Sequence, residues 1–306
     1  MTSRLIKLSN ILRRLVKKRN SPGEMLKIIS ELGKIRISIP VAFTTFTGYI
    51  LSHGKFDRGF ILPFIGIFLL ACGASAFNQV QETETDRIMK RTAGRPLPSG
   101  RISKSGAIII ALVYFISGCL VLYFGPGLMT LLVGVSTFVW YNLIYTPLKK
   151  VTAFAAVPGS MVGALPPLAG WVAGGGSLTD PRALALGFFF FMGQIPHFWL
   201  LLLKLGKQYE SANLPSLTQL LTDEQIKRLT FVWIAATAIS ALAMPIFGLQ
   251  DKIWSITLII LLSIALIIIF IPLLNRKKPF NVGKSFVLIN VYYLFVMLVM
   301  IAGKLI

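Results

Sequence analysis

Acid is what this 306-residue chain has least of: Asp and Glu total 11 against 31 Lys and Arg, and charged residues of both signs make up only 14%. Soluble proteins carry about 25% charged residues, so a soluble enzyme is set aside at the outset. Cysteine is as scarce. Cys72 and Cys119 are the whole complement and both lie inside apolar runs, which argues against a disulfide framework or a zinc site and reads them as small core residues. Within the cores of those runs, His197 is the one titratable charged side chain. Proton-coupled pumps and transporters usually keep such groups in mid-membrane, so that class loses ground as well. No short apolar core with a small-residue cleavage site precedes the first run, which speaks against a cleavable signal peptide.

What is there is apolar length. Hydrophobic residues reach 55%, in runs of about 20 that are each long enough to cross a hydrocarbon core of roughly 30 Å. Nine spans follow, near 38–53, 59–77, 106–124, 127–145, 152–173, 183–203, 229–249, 253–274 and 285–303. Solid runs such as IWSITLIILLSIALIIIFI exclude the weaker alternating segments of a barrel. The fold class expected is an all-α integral membrane protein, with a basic N-terminal segment at 1–36 and a nine-helix domain at 37–306.

Lys and Arg set the orientation. Of the 31, 26 fall on the side of the N-terminus, and only Lys55, Arg58, Arg182, Lys252 and Lys304 on the other. That asymmetry predicts a multi-pass protein of the cytoplasmic (inner) membrane with its N-terminus in the cytoplasm; a mitochondrial inner membrane is the lesser alternative. Basic residues placed between apolar runs point to lipid headgroups and phosphorylated substrates as partners, not to nucleic acid. Residues 1–23 contain no acid, and Leu5, Leu8, Leu12 and Leu15 share one helical face, the pattern of an interfacial amphipathic helix.

Two connections on the N-terminal side are long, 78–105 and 204–228, and long connections in a compact fold tend to be functional. They are offset by four spans, which suggests two four-helix halves plus a ninth helix. The first reads NQVQETETDRIMKRTAGRPLPSGRIS. If the second span continues into it as a helix, Asn78, Glu82 and Asp86 share one face, with Glu84 off it. Carboxylates followed by Lys90, Arg91, Arg95 and Arg101 suit a Mg²⁺-bound phosphate, with oxygen ligands on the cation and guanidinium groups on the remaining phosphate oxygens. A solvated, charge-balanced loop explains the spacing equally well.

These residues carry a resemblance. Asn78, Glu82, Glu84, Asp86, Met89, Arg91, Thr92, Arg95, Pro96, Pro98 and Gly100 resemble the first motif of the UbiA-type intramembrane prenyltransferases, most closely their protohaem IX farnesyltransferase branch. Lys34 and Arg36 match a Lys-x-Arg entering the first span. YTPLKKVTAFAAVPGSMVGALPPLAGW from Tyr145 and QIPHFW from Gln194 are similar to the branch's fifth-span signature and sixth-span ending, so the likeness covers nearly the whole chain.

The resemblance implies a UbiA-like bundle with an active-site mouth on the cytoplasmic side. It implies Mg²⁺ held by Glu82, Glu84 and Asp86, with Asn78, Glu82 and Asp86 central to catalysis. Lys34, Arg36, Arg91, Arg95, Lys149, His197, Lys207 and Tyr209 become substrate-binding residues. The reaction implied transfers a farnesyl group from farnesyl diphosphate to a vinyl group of protohaem IX, haem B being substrate and not cofactor. Haem-handling or terminal-oxidase assembly proteins are the implied protein partners.

There are departures. Glu82 and Glu84 stand where the branch has Asp, moving each carboxylate out by one methylene. The second motif, an acid and Asp before Tyr in the branch, is here Lys207, Gln208 and Tyr209, with Glu210 one step past the Tyr. Two accounts stand: a single Mg²⁺ on Glu82 and Asp86 with Lys207 touching the diphosphate, or a relative that binds haem or lipid without turnover. A quinone precursor is the alternative acceptor. His197 is read either as a haem ligand or as a hydrogen-bonded histidine near a helix end. Trp199, Phe198 and Phe188 to Phe191 are expected to pack or face lipid, and Gly159 and Gly163 to let helices approach closely.

Overall fold

A computed structural model describes residues 21–275 and 281–306. The amphipathic pattern of the N-terminal segment falls largely on residues 1–20 and so lies outside the described residues. Among the described residues nine helices are long and apolar enough to cross a membrane, as the nine runs require.

A short helix, α1 (Pro22–Leu32), starts at Ser21, whose hydroxyl accepts from the Glu24 amide at 3.2 Å, with Pro22 in the first turn. Lys34 then takes a left-handed backbone, φ 45°, and separates α1 from α2 (Ile35–His53). Next come α3 (Ile61–Gln81), α4 (Thr83–Ile88), α5 (Lys104–Phe124) and α6 (Leu128–Val139). A π-helical turn, Trp140–Tyr145, continues α6, and three short helical turns lead into α7 (Met161–Ala173). The rest is α8 (Pro181–Ser211), α9 (Asp223–Ile246), α10 (Ile253–Phe270) and α11 (Val282–Leu305). Polar caps mark where these runs begin: Ser103, Asp180, Thr222 and Asn281 each accept from a first-turn amide.

The helices pack as neighbours in a ring. α3 lies against α5, α2 against α7, and α8 against α9, while α11 returns to α8 and α2. The largest buried core joins α8, α9, α10 and α11 through Phe189, Leu200, Ala238, Ile259 and Val296. α1 joins the other half, where Ile28 and Leu32 are buried beside Val80 and Ala107 and the Gln79 amide donates to the carbonyls of Glu31 and Leu32. Outward faces stay apolar, as at Ile116, Leu132, Leu261 and Val287, which suits hydrocarbon. Cys72 and Cys119 are free thiols, as expected.

Two expectations need correction. The sixth span does not stop near 203: α8 runs 31 residues to Ser211 and takes up about the first third of the second long connection. Apolar content ends near Leu203 while helical hydrogen bonding does not, so hydropathy underestimates the helix. The Gly159 and Gly163 pair does not bring two backbones together either. Gly159 makes room for the Tyr145 ring and Gly163 for the Gln194 side chain. The close backbone crossing is between α2 and α7, where a Cβ on Gly48 would meet the Pro167 carbonyl and one on Gly170 the Thr45 carbonyl. Gly170→Val is therefore expected to cost about 1–3 kcal/mol by overpacking, read as a lower unfolding temperature in detergent. Gly163→Ala, which meets only a movable side chain, should cost clearly less; equal losses would contradict this account of the crossing.

Candidate functional site

Asn78 ends the apolar part of α3, and the chain keeps helical hydrogen bonding past the break at Glu82: the Glu82 amide donates to Asn78 O at 3.0 Å and the Asp86 amide to Glu82 O at 2.7 Å. The three side chains therefore share one face, and all three are buried. They line a cavity of about 270 Å³ together with Lys34, Arg91, Arg95, Lys149, His197 and Tyr209. Below the carboxylates the same α3 face continues through Ser75, Ala74, Ala71, Leu70 and Ile67. At 1.5 Å per residue, the wall from Asn78 to Ile67 is about 16 Å deep. One end of the cavity is charged and the other is apolar.

Each carboxylate is paired with a cation from another segment. Arg95 donates to Asp86 Oδ2 at 2.6 Å, and the Lys149 ammonium contacts Glu82. The Lys34 ammonium donates to Asn78 Oδ1 at 3.5 Å, while Asn78 Nδ2 donates to the Thr146 hydroxyl at 3.0 Å. The left-handed backbone at Lys34 is uncommon for a residue with a side chain and tends to occur where a site requires it. Burial, reinforced by the nearby Arg95 charge, brings the Lys34 ammonium down to about 7, although Glu82 and Asp86 pull the other way.

Divalent cations suit this end. Asp86 Oδ1 is buried and accepts no hydrogen bond, so its lone pairs await a donor or a metal. Asn78, Glu82 and Asp86 offer only hard oxygen atoms. No group of three or more His, Cys, Asp and Glu comes together among the described residues. A cation here would rest on two carboxylates and complete its shell with water and substrate oxygens, which is the usual habit of Mg²⁺.

Three of the expected residues are not brought to the cavity. Glu84 points into solvent, 80% exposed, and pairs with Arg87 at 2.7 Å. It lies off the Asn78–Asp86 face, so it is no part of the carboxylate pair. Arg36 is exposed in the first turn of α2 and does not line the cavity. Lys207 is exposed too, because it stands two positions before Tyr209 on α8, about 200° round the helix from the ring that enters the site. Glu210 accepts from the Thr218 hydroxyl at 2.5 Å, outside the cavity.

The residues not foreseen are aromatic. The rings of Tyr141 and Tyr145 stack at 5.7 Å, and Tyr145 stacks on Phe198 at 5.4 Å, so three roughly parallel rings face the cavity. The two tyrosines are four positions apart, a spacing that keeps them on one side of the helix, and they lie in a π-helical turn, a feature that often occurs at functional sites. Phe198 thus lines the site, where packing alone was expected, whereas Trp199, Phe189 and Phe190 are core residues as foreseen. His197 lines the cavity, its ring tilted against Phe286 at 4.7 Å and hydrogen-bonded with Asn290; it stands in the middle of α8 and not near a helix end, because that helix continues to Ser211.

Comparison with known proteins agrees with this architecture. The UbiA prenyltransferase family model matches residues 41–299. The chain belongs to the UbiA prenyltransferase family. A protoheme IX farnesyltransferase of Nitratidesulfovibrio vulgaris is 37% identical over 250 residues, 82% of this chain and 86% of that one. One of Geobacter sulfurreducens is 40% identical over 189 residues, 60% of this chain and 68% of that one. Among solved structures, a digeranylgeranylglyceryl phosphate synthase superposes with a TM-score of 0.73 at 20% identity, covering 92% of this chain and 98% of that one. A UbiA homolog from Archaeoglobus fulgidus bound to GPP and Mg²⁺ gives 0.64 at 13% identity, covering 91% and 100%. These two establish the fold alone. The protein is an integral, multi-pass prenyltransferase of this family.

The Lys34 environment has a measurable consequence. A bound polyanion favours the charged ammonium, so pyrophosphate binding between pH 7 and 8 should draw a proton onto Lys34, and affinity should weaken as pH rises through about 7. Titration calorimetry in buffers of different ionisation enthalpy reads that uptake. Lys34→Met should lose it; the same uptake in both proteins would refute the assignment.

Proposed function

We propose that the protein transfers a farnesyl group from farnesyl diphosphate to a vinyl group of protohaem IX, giving haem O. The observation that carries this reading is one cavity in which a buried carboxylate pair and four cationic side chains open directly onto an apolar wall. The likeness to protoheme IX farnesyltransferases over 82% of this chain supports the choice of acceptor. The GPP and Mg²⁺ of the Archaeoglobus fulgidus homolog support an isoprenyl diphosphate and a magnesium ion as the bound pair.

In this reading Glu82 and Asp86 hold Mg²⁺, with Asn78 beside them. The ion would neutralise charge growing on the leaving diphosphate. Lys34, Arg91, Arg95 and Lys149 bind the diphosphate oxygens; Arg95 and Lys149 are already oriented by their carboxylate partners. The prenyl chain lies along Ala74, Ala71, Leu70 and Ile67. As the bond from farnesyl C1 to the diphosphate oxygen breaks, positive charge spreads over the allylic carbons. The rings of Tyr141, Tyr145 and Phe198 line the space around that charge, offering it π-electron surface and excluding water. C1 then joins the terminal vinyl carbon, and water adds to the inner one with loss of a proton, leaving a hydroxyethylfarnesyl substituent. His197 borders the porphyrin space, its ring held by Asn290.

The mouth faces the cytoplasm in this proposal, since the excess of Lys and Arg lies on the connections at that end. The membrane is the bacterial inner one. Residues 37–306 form the transferase domain in this reading, and residues 1–36 are a basic cytoplasmic N-terminal segment.

Membranes containing the protein, given Mg²⁺, farnesyl diphosphate and haem B, should form hydroxyethylfarnesyl haem detectable by mass. Asp86→Asn should lower turnover more than a hundredfold with unchanged membrane insertion; a fully active variant would defeat the site assignment. Phe198→Leu should reduce kcat about tenfold, about 1.4 kcal/mol of barrier, with the KM for farnesyl diphosphate little changed. A rise in KM alone would remove the rings from the reacting centre.

A further inference from the structure

Position 208 is where this chain departs most plainly from the motif it resembles, and its side chain is neither idle nor in the cavity. Gln208 Oε1 accepts the backbone amide of Arg91 at 3.1 Å, a contact between residues 117 positions apart. The two neighbouring amides of that turn, Thr92 and Ala93, return to the Met89 carbonyl, each at 2.9 Å. Beside this bond, Met89 packs with Tyr209, Ala212 and Leu214 in a small buried cluster. The end of α8 therefore grips the turn 89–95 twice, through one polar and one apolar contact. That turn carries Arg91 to the cavity and Arg95 onto Asp86, and the Thr92 hydroxyl donates to the Asp86 carbonyl at 2.9 Å.

We propose that Gln208 is a positioning residue: its amide oxygen latches the Arg91–Arg95 turn across the mouth of the cavity and presets the cations that receive the diphosphate. The proposal rests on the reading of that cavity as a diphosphate site. The glutamine is then a working part of this chain, and not a metal ligand that decayed. Reach is what the latch requires. The acceptor must sit at the end of a three-carbon arm, and aspartate withdraws it by one methylene. A vestigial metal site makes the opposite demand, because aspartate would restore a ligand.

Gln208→Glu, Gln208→Asp and Gln208→Leu in the full chain separate the two. Glu and Asp bring the same charge to the mouth, so the difference between them reads reach alone. The latch predicts that Asp and Leu raise the KM for farnesyl diphosphate three- to tenfold, with kcat within twofold and the KM for haem unmoved, and that Glu recovers most of the loss seen with Asp. The same Asp and Leu proteins should be cut faster by trypsin after Lys90 and Arg91, two exposed positions of the turn. An Asp variant equal to or better than the parent, or a cleavage rate alike in all four proteins, overturns the proposal. Trypsin reads the turn without any turnover, so a parent protein inactive on haem would sink the proposed reaction and leave the latch to be judged by cleavage.

Discussion

Everything at the mouth depends on two carboxylates kept out of water. Burying such a group without compensation costs several kcal/mol, and this chain compensates Asp86 with Arg95 and Glu82 with Lys149, each cation arriving from a different connection. The pairs do two things at once. They make the acids tolerable in the absence of a ligand, and they hold in place the positive groups that a diphosphate needs. One oxygen of Asp86 remains without a partner, so compensation stops short of closing the site.

Around this charged end the fold is arranged to bring distant segments within reach of each other. The end of α3 and the short α4 that continues it supply Glu82 and Asp86, the left-handed position between α1 and α2 is Lys34 itself, the turn after α4 supplies the arginines, and α8 reaches past the apolar zone to deliver Tyr209. The apolar part needs less precision. Small residues at Ala71, Ala74 and Gly134 leave the space open, and the aromatic rings wall one side of it.

Much of this was readable from the residues. Nine apolar runs match the nine helices long enough to span among the described residues, and Asn78, Glu82 and Asp86 were legible as a set because a spacing of four survives even where the helix breaks at Glu82, φ −106°. What the residues concealed follows from direction. Motif membership does not say which way a side chain faces, so Glu84, Arg36 and Lys207 looked equivalent to their neighbours although each points away. The tyrosines are four apart like the acids, but the ring that Tyr145 stacks on, Phe198, comes from another helix, which no hydropathy pattern records. The bond from Gln208 to Arg91 joins two connections that only the folded bundle brings together.

The length of α8 has a further consequence. Thirty-one residues make a rod of about 46 Å, against a hydrocarbon thickness of roughly 30 Å. A helix of this length, with Pro196 at its middle, meets a thinner or thicker bilayer by a change of tilt or of bend, and either moves the far tip sideways more than any other point. That tip carries the tyrosine and the glutamine at the rim. The thickness of the host membrane thereby bears on the geometry of the entrance.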